Sequence, residues 1–98
     1  MKTENTQRVN KFFEALLSLE TTEECQKFFD DICTIKELMD ISQRYEVAVM
    51  LSQGKVYTEI AAETGASTAT ISRVKRCLNY GADGYSLVLE RMKEAEEQ

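Results

Sequence analysis

The fold turns on one stretch, Tyr57-Thr-Glu-Ile-Ala-Ala-Glu-Thr-Gly-Ala-Ser-Thr-Ala-Thr-Ile-Ser-Arg-Val-Lys-Arg76. Two helices that cross steeply over a turn of three or four residues need particular residue types at fixed offsets. Where they touch, only a small side chain fits, and Ala61 supplies it. Four residues later the turn needs a positive φ, and Gly65 stands there. Inward positions must be apolar, as Ile60, Ala66, Ile71 and Val74 are. Ser67 suits the N-cap of the second helix, its hydroxyl accepting from an amide near Ala69 or Thr70. The spacing predicts helices from about Thr58 to Thr64 and from about Thr68 to Asn79. The β-branched run Thr68–Ile71 would suit a strand in isolation, but it lies inside this helix-turn-helix pattern.

The outward face of the second helix is expected to carry Thr68, Ala69, Thr70, Ser72, Arg73 and Arg76, with Ser67 and Lys75 beside them. Small hydroxyl side chains can approach base edges and thymine methyls, while Arg and Lys reach guanine or phosphate. These eight residues are the candidate contacts to double-stranded DNA. The formal charge of −5 argues against such a partner until it is read by segment. Residues 51–80 carry a balance of +2, the remainder −7, and no acid occurs from Ala66 to Tyr80.

Working outward, Val9, Phe12, Phe13, Leu16 and Leu17 form one stripe of an amphipathic helix. Thr21-x-x-Glu24 reads as a capping box opening a second helix, whose stripe is Cys25, Phe28, Phe29, Ile32 and Cys33. A second box, Thr34-x-x-Glu37, opens a third. That helix has two apolar rows, Leu38, Ile41, Tyr45, Ala48 and Val47, Met50, Leu51, and must be covered on both. Gly54 ends it. Gly81 and Gly84 punctuate the turn before a last helix with Tyr85, Val88, Leu89 and Met92 on one side. The expected class is all-α, six helices without a strand.

A 98-residue chain buries only about 60–65% of its unfolded surface, so one copy alone is marginal and a homodimer is expected. The three cysteines have no CxxC spacing and read as small buried hydrophobes of a reduced, cytoplasmic protein. No charged-then-apolar leader or membrane-length apolar run is visible, so no membrane partner is expected. Without histidine, Ser-His and Cys-His chemistry and the usual zinc sites are excluded, and no metal or cofactor is expected. Asp30, Asp31 and Glu63 are left as carboxylates for an enzyme, but they sit where helices place acids anyway. The expectation is a non-enzyme. A competing class is a dimeric helical adaptor that docks other proteins and leaves DNA alone.

Residues from about Thr34 to Met92 resemble the Trp repressor family, and the segment Gly65-Ala-Ser-Thr-Ala-Thr-Ile-Ser-Arg73 is similar to that family's recognition-helix signature. Gln43, Arg44 and Gly54 resemble the end of its third helix. Across its full length, including Arg76-Cys-Leu-Asn-Tyr-Gly81, the chain resembles the Trp-repressor-like YerC/YecD subgroup. The resemblance implies a bacterial transcription regulator, expected to be a repressor, formed as an interlocked homodimer. Residues 1–98 would be one domain, with 1–53 and 83–95 as the dimerisation core and 57–79 as the reading head.

The resemblance also implies a candidate effector slot at Arg44, Thr70, Arg73 and Val74. In tryptophan-binding members an arginine packs over the ligand ring, and Arg44 matches it across a one-residue gap near Lys55–Tyr57. Arg73 matches the arginine facing the ligand carboxylate and the phosphates, and Thr70 a nearby threonine. Arg44 could equally pair with Glu46 or Asp40. Val74 stands where the family has a glycine that makes room for the indole. Two alternatives follow, and neither admits tryptophan. Either a smaller anionic effector, an amino acid, takes the slot, or Val74 fills it and the head needs no effector.

Overall fold

The computed structural model describes residues Thr3–Glu97; residues 1, 2 and 98, at the ends of the expected 1–98 domain, lie outside the described residues. The helices are α1 (Thr3–Leu17), α2 (Thr22–Ile32), α3 (Ile35–Ser52), α4 (Tyr57–Thr64), α5 (Thr68–Tyr80) and α6 (Gly84–Glu97). No strand occurs among the described residues, and the class is all-α as expected. Two compact units divide the chain, one running to Leu38 and the other beginning at Met39.

The first unit holds α1, α2 and the first turn of α3. The Thr21 hydroxyl accepts the Glu24 N–H at 3.1 Å, as a cap should. The Glu24 carboxylate instead accepts the N–H of Glu20, at 2.8 Å, one residue earlier than a capping box requires. At Thr34 the box closes in full: the hydroxyl accepts from Glu37 N–H at 3.1 Å and the Glu37 carboxylate from Thr34 N–H at 2.8 Å. Those bonds, the backbone one foremost, favour the ionised carboxyl and hold Glu37 below the usual carboxylate range. Phe12 and Phe28 face one another with ring centroids 6.1 Å apart. Yet neither α1 nor α2 contains a buried residue.

In the second unit the core is Val47, Ala48, Met50, Ile60, Ala66, Ile71 and Val74, with Leu51, Tyr57, Ala61, Leu78, Tyr85 and Leu89 packed against it. Burying a side chain such as Ile60 or Ile71 stabilises by about 1.5–3 kcal/mol. The apolar rows expected of α3 are buried toward its C-terminal end. Val47, Ala48 and Met50 are buried, whereas Ile41 and Tyr45 remain exposed. Helix α4 packs on α5, and α5 on α6.

The turns follow the sequence with one exception. Gly54 and Gly65 take positive φ, +79° and +74°. Between α5 and α6, however, the positive φ belongs to Asp83, at 65°, a residue type that tolerates it better than most. Gly81 is needed for space instead, since a Cβ there would lie 2.4 Å from the Cys77 carbonyl oxygen. The cysteines also depart from expectation. All three are free, but Cys25 and Cys77 are exposed and Cys33 half-buried. Cys25 lies on the uncovered stripe of α2, and Cys77 opens onto a hollow described below. No helix among the described residues is long and apolar enough to cross a membrane.

Candidate nucleic-acid interface

The geometry is built from the turn between α4 and α5. Gly65 caps α4 in the left-handed conformation, its N–H donating to the Ala61 carbonyl at 2.9 Å. The Thr64 hydroxyl donates to the Ile60 carbonyl at 2.8 Å and accepts the Ala66 N–H at 3.1 Å. From α3, the Gln43 side-chain amide donates to the Thr64 carbonyl at 3.1 Å. The turn is thereby tied to the scaffold, a role for Gln43 that periodicity alone does not disclose.

Ser67 caps α5 as expected, its hydroxyl accepting the Thr70 N–H at 3.1 Å. The same hydroxyl meets the Thr70 hydroxyl at 3.1 Å. Thr70 is therefore half-buried and occupied at the cap, not fully outward as the sequence suggested. Thr68, Ala69, Ser72, Arg73, Lys75 and Arg76 are all exposed. Ile71 and Val74 on the opposite side, 0% and 2% exposed, lock the helix to its core. Lys75 stands on the flank of α5, its Nζ 5.6 Å from the Tyr57 ring centroid of α4, a cation–π distance. Lys55 is held by Glu59 at 3.2 Å, a surface pair of small energetic weight. Ala69, Arg73 and Arg76, at i, i+4 and i+7, form the middle of the outward row. Tyr80 continues it at i+11 and is 86% exposed. Sequence reasoning passed over Tyr80 because it falls after the motif.

Of the four effector candidates, Thr70, Arg73 and Val74 lie within about one turn of α5, and Arg44 comes from α3. Val74 is part of the core. Arg44 borders an open, largely apolar hollow of about 520 Å³ whose lining includes Ile41, Tyr45, Cys77, Tyr85 and Val88, but not Thr70, Arg73 or Val74. Cys77 was not foreseen there, although it follows Arg73 by one helical turn.

A turn fixed by Gly65 and Gln43, a capped second helix and an exposed basic face on a buried apolar back define a helix-turn-helix protein. The family model for the Trp repressor protein matches residues 7–93, and the chain belongs to that family of non-enzymatic DNA-binding regulators. It is 58% identical over 88 residues to the uncharacterized protein YerC of Bacillus subtilis (strain 168), covering 90% of this chain and 85% of that one. A crystallised protein of Staphylococcus aureus superposes with a TM-score of 0.87 at 49% identity, covering 95% of each chain. A TrpR-like protein from Eubacterium eligens ATCC 27750 gives a TM-score of 0.86 at 55% identity, covering 89% of this chain and 90% of that one.

Proposed function

We propose that this chain is a cytoplasmic, homodimeric, sequence-specific transcription regulator that inserts α5 into operator major grooves and represses a metabolic operon, with amino-acid biosynthesis the foremost candidate. One observation carries the reading. Thr68, Ala69, Ser72, Arg73 and Arg76 are exposed along a helix whose back is anchored by Ile71 and Val74, in a stretch without an acid. Ser67 and Thr70 set the start of that helix, and Lys75 adds charge on its flank. Fixed, exposed donors of this kind read base edges, while the guanidinium groups neutralise phosphates.

The buried Val74 favours a head held in place by its own core, so that neither tryptophan nor an anionic amino acid at Arg44 and Arg73 is required. Binding to duplex DNA across a salt series tests the reading. Arg73→Ala and Arg76→Ala are each expected to weaken binding by about 1–3 kcal/mol without unfolding the protein. Affinity is expected to fall steeply with salt despite the acidic composition. A flat salt plot, or both variants binding like wild type, would return the chain to the class of protein adaptors.

A further inference from the structure

Tyr80 is the last residue of α5 and the most exposed of its large apolar side chains, at 86%. Among the described residues no hydrogen bond or ring contact engages its side chain. It stands one turn beyond Arg76 and two beyond Arg73 on the outward row, at the end of the acid-free stretch from Ala66. The other highly exposed apolar side chains, Leu17 and Ile35, lie outside that stretch.

Helix length decides what Tyr80 can meet. From Thr68 to Tyr80 the rise is about 18 Å at 1.5 Å per residue. The major groove is about 12 Å wide. With the first turns of α5 against base edges, the last turn reaches the sugar-phosphate wall. A phenol there offers a neutral O–H donor on an apolar ring, suited to a phosphate oxygen beside a deoxyribose. We propose that Tyr80 donates its hydroxyl to a DNA phosphate at the groove edge, anchoring α5 without reading sequence. The inference rests on the DNA-binding function proposed above.

The test compares wild type, Tyr80→Phe and Arg76→Ala on a pool of random-sequence duplexes over a salt series, so no operator need be known. Tyr80→Phe is expected to weaken binding roughly 3- to 10-fold for each head engaged, the weight of one lost hydrogen bond. The salt slope should not change, because a neutral donor releases no counterion, while Arg76→Ala lowers it by about one per head. Thermal stability and self-association of Tyr80→Phe should match wild type. If Tyr80→Phe binds like wild type while Arg76→Ala is impaired, this inference alone falls. Altered self-association with unaltered DNA affinity overturns it too, placing Tyr80 between copies of the chain. A folded wild type without affinity for any duplex removes the functional reading and this inference with it.

Discussion

The segment up to Leu38 and the helix-turn-helix head are written in the same code and end differently. Both carry apolar residues at helical spacing. In the head, Ile60 and Ile71 are fully buried by their own chain. In α1 and α2 no residue is, and Leu17 stays 84% exposed, Phe13 51% and Ile32 49%. Periodicity therefore tells which face seeks cover without telling what covers it. The head is satisfied within one chain. The N-terminal stripes leave Phe13, Leu17 and Ile32 open, and on α3 Ile41 and Tyr45 are exposed as well. The homodimer proposed above would supply cover for these side chains.

The largest effect tests this contrast directly. If a second copy completes the fold, the thermal midpoint should rise with protein concentration, since association and folding are then linked. A folded monomer at micromolar concentration in sedimentation equilibrium would break the contrast. Next in size, Ile71→Ala empties a fully buried site in the head and should destabilise by about 2–5 kcal/mol. Leu17→Ala sharpens the comparison, because its cost should appear in the dimer dissociation constant. Equal destabilisation of a monomer by both would mean that the two regions are covered alike.

A smaller effect belongs to the start of α3. The bonds from Thr34 lower the Glu37 pKa, so their stabilisation is complete above the carboxyl's unfolded value. It is lost as the pH falls through the lower folded value. Acid titration below about pH 4 should therefore release a proton-linked loss in wild type that Glu37→Gln lacks. Superposable acid unfolding curves would show that this capping box contributes nothing measurable.

Much of this was legible because local rules acted alone. Gly65 and Ser67 each serve one backbone requirement of the turn, Ala66 fills its inward apolar position, and each is where the spacing puts it. Ile60, Ile71 and Val74 were recognisable as inward by periodicity. Interactions between elements were harder to foresee. Gln43 reaching the Thr64 carbonyl spans 21 positions, and no local pattern marks it. Thr70 looked outward by helical angle, yet the cap hydroxyl of Ser67 occupies it. Gly81 and Gly84 mark the turn before α6, yet no periodicity tells that Asp83 takes its positive φ or that Gly81 leaves room for the Cys77 carbonyl.

The smallest expected signal is no signal at all, and it bears on how self-sufficient the head is. Family resemblance places a glycine at position 74, where it leaves room for an indole, and this chain has valine. Val74 is 2% exposed and packs with Val47, Ala48, Ile60 and Ile71 in one core. Forcing a ring against those added carbons costs about 1–3 kcal/mol in a well-packed site. A head that completes its own core also has little to gain from a prop. Calorimetry of the folded protein with tryptophan should therefore register no binding heat, and tryptophan should leave duplex affinity unchanged. A micromolar heat of binding would show that the core yields to a ligand and that the head is less complete than its burial implies. Val74→Gly is the companion variant: it gives up about a few tenths of a kcal/mol of helix propensity, beyond the lost packing, and empties the space beside Ile71. If that variant gains weak tryptophan affinity while wild type has none, the valine side chain itself closes the slot.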